Sequence, residues 1–194
     1  MKLLIVGDSG VGKTCILLRV VNDSFDSKYI PTVGIDYRTK PLNFQNEKIK
    51  LQIWELSGRR KFLDYVGCHF NGAIGVVFVY DVTNEESFRN INKWFQFVNE
   101  CAADHSIRKL LLANKCDMDH ERVISRREGI NMAKQLNADF LETSAKLNIN
   151  ITKAFINLAE RRLCLPSQEI LPLTLHERPD ERNVGGNAIF YFLI

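Results

Sequence analysis

The chain has 194 residues, 45% hydrophobic and 25% charged, with a formal net charge of +3. That is about one domain with enough apolar residues for a packed core. The small charge, with no basic run longer than three residues, gives no electrostatic case for a nucleic-acid polymer or an anionic membrane. The five cysteines (Cys15, Cys68, Cys101, Cys116, Cys164) are scattered and lack C-x-x-C spacing. This argues against a disulfide or zinc framework and for a reducing, cytoplasmic compartment.

In chain order, the first predicted element is a buried strand, "LLIV" at residues 3–6, an apolar run too short for a signal peptide or a membrane span. A glycine-rich turn and a helical run follow. In "NFQNEKIKLQIW", Gln45 and Asn46 separate two alternating runs, which predicts a hairpin joining one antiparallel edge strand. Further strands are expected at "AIGVVFVYDV" (73–82), "KLLLAN" (109–114) and "ADFLET" (138–143), with helical periodicity from residues 84, 125 and 150. Asn84 or Thr83 is the expected cap of the helix from 84. Ser125, with Glu128 three residues on, forms a capping box for the next. Trp94 reads as core or helix packing. Near-continuous apolar strands alternating with amphipathic helices define an α/β class, a mostly parallel sheet with helices on both faces. After Cys164 the composition changes: residues 165–194 hold three of the five prolines, a Gly-Gly pair, and four acids against two bases. The expected organisation is one domain over 1–164 and a flexible tail over 165–194.

Three segments carry chemistry. Between the first strand and its helix, Gly7-Asp8-Ser9-Gly10-Val11-Gly12-Lys13-Thr14 matches G-x-x-x-x-G-K-S/T in full. Glycines at these positions let backbone N–H groups wrap phosphate oxygens, Lys13 reaches the terminal phosphates, and the Thr14 hydroxyl can ligate Mg²⁺. Asn114-Lys115-Cys116-Asp117 ends a later strand, and its aspartate can accept two N–H groups of guanine, a match that adenine lacks. "ETSAK" follows the last strand, where the Ala145 amide can donate to the guanine oxygen. Either of these two later segments alone is compatible with ordinary turn chemistry. All three in order at the C-terminal ends of strands specify a guanine-nucleotide site.

With these motifs the sequence resembles the small GTPases of the Ras superfamily over roughly residues 1–163, and within them the Rab group. The stretches "PTVGIDY" (31–37), "KIKLQIW" and "YDVTNEESF" (80–88) look most like the secretory, exocytic branch. The resemblance implies a Ras-like P-loop NTPase fold, with a mostly parallel six-stranded sheet and one antiparallel edge strand. It implies GTP or GDP as ligand with Mg²⁺, and hydrolysis of GTP to GDP. Protein effectors, an exchange factor and an activating protein are the implied partners of a monomeric switch in membrane traffic. Nucleotide contacts carry over onto Asp8, Ser9, Gly10, Val11, Gly12, Lys13, Thr14, Cys15, Phe25, Thr32, Gly58, Asn114, Lys115, Asp117, Ser144, Ala145 and Lys146. Phe25 would flank the guanine, and the Thr32 hydroxyl would join Thr14 on Mg²⁺ when GTP is bound, while the Gly58 amide senses the γ-phosphate. The effector surface would fall on Ile35, Tyr37, Trp54 and His69, the last standing where these proteins usually carry tyrosine.

One loop departs from the family. Where D-x-x-G-Q-E is usual, this chain has Glu55-Leu56-Ser57-Gly58-Arg59-Arg60. The aspartate normally meets Mg²⁺ through a water, and the resemblance implies the same water-mediated metal role for Glu55. Glu55 keeps the charge but adds a methylene, so weakened magnesium is expected at an ion that tolerates little departure from octahedral geometry. The glutamine normally holds the attacking water with an acceptor and a donor together, whereas Arg59 offers donors only. Slow intrinsic hydrolysis is the expected consequence. No cysteine follows Cys164, so a C-terminal prenylation signal is not legible, and membrane association through partners is the expectation. A nucleotide-stabilised, non-cycling interaction protein is the alternative reading. A P-loop nucleotide kinase leaves "NKCD" and "ETSAK" unexplained.

Overall fold

The computed structural model describes residues 1–28, 31–44, 47–59, 67–102 and 107–163. Strand β1 (Lys2–Val6) is apolar on both faces, and this sends it to the middle of a sheet. Leu3 and Ile5 enter one core cluster and Leu4 and Val6 the other, all with no solvent exposure. The chain continues through α1 (Lys13–Asn22), β2 (Ile35–Phe44), β3 (Glu47–Leu56) and β4 (Ala73–Asp81) to α2 (Glu85–Arg89) and α3 (Ile91–Cys101). It ends with β5 (Arg108–Asn114), α4 (Arg126–Gln135), β6 (Asp139–Glu142) and α5 (Ile151–Leu163).

The six strands lie in the order β2-β3-β1-β4-β5-β6. Only β2 and β3 are antiparallel, with Phe44 opposite Glu47; every other pair is parallel. The edge strand read from the alternating pattern is therefore β2. The hairpin tip at Gln45 and Asn46 lies outside the described residues. Strands that follow β1 are placed on both of its sides, so the loops at its C-terminal end diverge, and open α/β sheets bind ligands at such a divergence.

Helices α1 and α5 cover one face through Ile16, Leu17, Phe155 and Leu158. Helices α3 and α4 cover the other through Ile91, Trp94, Val98 and Met132. The helical stretch expected from residue 84 is divided at Asn90 into α2 and α3. Asn84, rather than Thr83, caps α2 by accepting from the Ser87 amide at 2.9 Å, because Thr83 is engaged by Asp81. The capping box of α4 forms as expected: Ser125 Oγ accepts from the Glu128 amide, and Glu128 Oε2 accepts from the Ser125 amide. Among the described residues no helix is long and apolar enough to cross a membrane. The expected boundary at Cys164 and the tail over 165–194 lie outside the described residues.

Candidate functional site

The segment 7–14 joins the buried end of β1 to the first residue of α1. Gly12, at φ 97°, has a conformation that residues with a Cβ rarely adopt, and a Cβ there would stand 2.4 Å from Asn114 Nδ2. It begins α1 without a side-chain cap, which leaves the first amides of the helix directed at the cavity as donors for an anion. Lys13 is 4% exposed and its ammonium donates to the carbonyls of Gly7 and Asp8, each at 2.8 Å. Burial lowers its pKa to about 8, outweighing the attraction of Glu55 and Asp8 that works the other way. The ammonium still carries its charge at neutral pH, and a phosphate anion beside it would raise its pKa again.

Three oxygens meet next to it. Thr14 Oγ1 donates to Glu55 Oε1 at 2.7 Å, Thr32 Oγ1 donates to the same oxygen at 3.1 Å, and the two hydroxyls lie 3.0 Å apart. Glu55 stands near the end of β3, beside Ile5 of β1 and opposite Asp36 of β2, with 1% exposure. Burial raises its pKa, and the Thr14 and Thr32 hydrogen bonds and the Lys13 charge only partly oppose that. Its second oxygen, Oε2, is buried with no hydrogen-bond partner among the described residues. A set of two hydroxyls and one carboxylate, with an orphaned carboxylate oxygen, fits a hard divalent cation such as Mg²⁺.

The next loop closes onto the phosphate-loop backbone. A Cβ on Gly58 would lie 2.2 Å from the Ser9 amide nitrogen and 2.4 Å from the Asp8 carbonyl carbon. Ser57 ties this loop to the segment carrying Thr32: its hydroxyl donates to the Thr32 carbonyl at 2.9 Å and its amide to the Gly34 carbonyl at 2.8 Å. Arg59 is exposed and is not part of the cavity wall, while its backbone amide donates to Ser57 Oγ. Arg60 lies outside the described residues.

These parts line one cavity of about 360 Å³. Ser9, Gly10, Gly12, Lys13, Thr14 and Cys15 form one stretch of wall, and Thr32, Glu55 and Gly58 another. Phe25, Asn114, Lys115, Asp117, Ala145 and Lys146 are also part of it. Most of the residues singled out in the sequence are thus brought together from five separate segments. Burial also pushes the Cys15 thiol up, which keeps it protonated and unreactive.

The braces that hold these segments were not legible in the sequence. Asn114 Nδ2 donates to the Val11 carbonyl at 2.8 Å, while Asn114 Oδ1 accepts from Thr143 Oγ1 at 3.3 Å. Lys115 pairs with Asp81 beneath the loop. From α1, Arg19 Nε donates to the Ala145 carbonyl at 3.0 Å and its Nη2 to the Lys146 carbonyl at 3.2 Å. Three expected contact residues turn their side chains elsewhere. Val11 is in the core, Ser144 is fully buried, and the Asp8 carboxylate accepts from Asn90 Nδ2 at 2.7 Å and from Trp94 Nε1 at 2.8 Å. The backbone of these residues still shapes the loops.

Trp94 is therefore both a core residue, 4% exposed, and an anchor of the phosphate loop. Trp94→Phe keeps most of the packing but removes a hydrogen bond to a carboxylate. It is expected to lower the unfolding free energy by about 2 kcal/mol. Urea unfolding of the two proteins measures this, and an unchanged midpoint would remove Trp94 from the loop's support.

On β2 and β3, Tyr37 and Trp54 are direct cross-strand partners with ring centroids 4.5 Å apart, and Trp54 also packs against the core. His69 continues the row, 5.4 Å from Trp54. Tyr37 is exposed and Trp54 half-buried, so the row is open to a partner. Ile35 is half-buried and packs against the core.

A parallel sheet with helices on both faces and a glycine-rich turn from β1 into α1 define a P-loop NTPase of Ras-like fold. The sequence profile of the Ras family matches residues 2–163. Rab-10 of Diplobatis ommata is 44% identical over 183 residues, covering 94% of this chain and 87% of that protein. Rab-10 of Caenorhabditis elegans is 46% identical over 159 residues (82% and 79%), and Rab-8A of Gallus gallus 44% over 158 residues (81% and 76%). The chain belongs to the Ras family, as a small GTPase of its Rab group.

Proposed function

We propose that the chain is a guanine-nucleotide-controlled switch in secretory membrane traffic whose intrinsic GTP hydrolysis is slow. The reading is carried by one cavity wall that joins Asp117 and Ala145 with Lys13, Thr14, Thr32, Glu55 and Gly58. In this reading the Asp117 carboxylate accepts two guanine N–H groups, the Ala145 amide donates to the guanine oxygen, and Phe25 flanks the ring. The amides of the phosphate loop and the N-terminus of α1 receive the phosphates. Lys13 exchanges the Gly7 and Asp8 carbonyls for terminal phosphate oxygens.

Thr14, Thr32 and Glu55 would hold Mg²⁺, which when bound neutralises charge shared by the β- and γ-phosphates. Thr32 belongs to a segment tied through Ser57 to the loop of Gly58, so contact of either with the γ-phosphate is transmitted to the other. Both segments adjoin the aromatic row of Tyr37, Trp54 and His69, which we assign as the effector surface. An exchange factor and an activating protein complete the cycle, and localisation is cytoplasmic with peripheral attachment through partners.

Hydrolysis requires a group that orients water beside the γ-phosphate. Arg59 has no acceptor, is exposed, and is not among the residues that line the cavity. Single-turnover measurement on GTP-loaded protein is expected to show GTP persisting. Arg59→Gln should raise the rate by about tenfold or more by restoring an acceptor and a donor on one side chain. Equal rates in the two proteins would sink the assignment of slow hydrolysis to this position.

A non-cycling, nucleotide-stabilised interaction protein is the second reading, favoured by the hydrogen bonds by which Thr14 and Thr32 are both tied to Glu55 Oε1. Thr32→Ala separates the two. Loss of partner binding marks a switch, and retained binding marks a constitutive scaffold.

A further inference from the structure

We propose that Glu55 is a direct ligand of the magnesium ion, its extra methylene taking the coordination position that an aspartate would leave to a water molecule. The inference rests on the nucleotide-switch reading above and gives one residue of that site a role that differs from its usual one.

The first support is the spacing of three oxygens. Glu55 Oε1 lies 2.7 Å from Thr14 Oγ1 and 3.1 Å from Thr32 Oγ1, with the hydroxyl oxygens 3.0 Å apart. Neighbouring corners of an octahedron with metal–oxygen bonds of about 2.1 Å are about 3.0 Å apart. The nearly equilateral triangle of Thr14, Thr32 and Glu55 oxygens therefore has the dimensions of one face of a magnesium octahedron. The two threonines are the ligands expected of such a site, and Glu55 supplies the third corner.

The second support is what surrounds the carboxylate. Glu55 is 1% exposed, and Oε2 has no hydrogen-bond partner among the described residues. A buried carboxylate with an unpartnered oxygen is costly unless a cation lies beside it. Lys13, whose charge acts on Glu55, gives two of its three N–H donors to the Gly7 and Asp8 carbonyls. Glu55 also lines the cavity itself together with Thr14 and Thr32. Direct ligation replaces a neutral water by an anionic oxygen, so it turns the weakened magnesium expected from the sequence into retained magnesium.

Counting water on the metal tests this. The full-length protein is loaded with Mn²⁺ and a non-hydrolysable GTP analogue, and coordinated water is counted by pulsed electron paramagnetic resonance in isotopically labelled water. With two phosphate oxygens and three protein oxygens bound, a single position remains for water in the unsubstituted protein. Glu55→Asp is expected to gain one. Two waters in the unsubstituted protein would overturn the inference while leaving the nucleotide reading intact, because the metal–nucleotide complex would have formed. Failure of Mn²⁺ and the analogue to bind at all would overturn the nucleotide reading, and this inference with it. The count on the unsubstituted protein decides the question even if Glu55→Asp does not fold.

Discussion

Asp117→Asn is expected to lower the affinity for GTP and GDP by about a hundredfold to a thousandfold while leaving the fold in place. Asp117 follows β5 on the cavity wall, half-buried, on a loop whose position is set by the Asn114 bond to the Val11 carbonyl and the pairing of Lys115 with Asp81. A carboxylate there accepts two guanine N–H groups as charge-assisted hydrogen bonds, each contributing about 1.5–3 kcal/mol. Asparagine keeps one acceptor and turns an NH₂ group toward a donor, so one bond is lost and the other is left neutral. A net loss of about 3–4 kcal/mol corresponds to that range of affinity, at about 1.4 kcal/mol per factor of ten. Calorimetric titration of GDP into both proteins measures it, with thermal unfolding as the control for folding. Equal affinities would show that Asp117 does not face the base.

Gly58→Ala is expected to destabilise the protein by about 3 kcal/mol and to release the segment that carries Thr32. The new methyl would stand 2.2 Å from the Ser9 nitrogen and 2.4 Å from the Asp8 carbonyl carbon, backbone atoms that cannot swing aside as a flexible side chain would. Overpacking of this kind costs about 1–3 kcal/mol. The loop must lift from the phosphate loop, and that strains the two hydrogen bonds from Ser57 to Thr32 and Gly34, each contributing about 1 kcal/mol. Hydrogen exchange should rise in residues 31–36, and the unfolding midpoint should fall. Unchanged exchange there would mean that the two loops are not coupled through this contact.

Much of the architecture was readable because its signals are local. "LLIV" is apolar without a break, and a strand buried on both faces requires that. Gly7–Thr14 requires glycine where the backbone takes a positive φ or approaches other backbone closely, so the phosphate loop is written in consecutive residues. Ser125 and Glu128 announced their helix because a capping box spans only one turn. The division at Asn90 was not legible, since the apolar period runs through it and its side chain is drawn toward Asp8, 82 positions earlier. Trp94 read as core because a buried aromatic gives the same sequence signal whether or not its N–H has a polar partner.

By itself, the sequence determined which chemical groups are present and the order in which strands present them: a phosphate loop, a glutamate near the end of β3 and an arginine in the loop after it, an aspartate after β5, and an alanine amide after β6. Those properties depend on residue type and on spacings of a few positions. Only the tertiary structure decided what each group meets. Arg19 reaches Ala145 across 126 positions, and Glu55 meets the Thr14 hydroxyl across 41. Strand order and helix packing create such contacts, and they leave no periodic trace in the chain because the partners share no local segment. The same residues spell an acid that weakens a metal site when the added methylene is considered alone, and, under the direct-ligand proposal, one that completes it, because three oxygens lie about 3 Å apart.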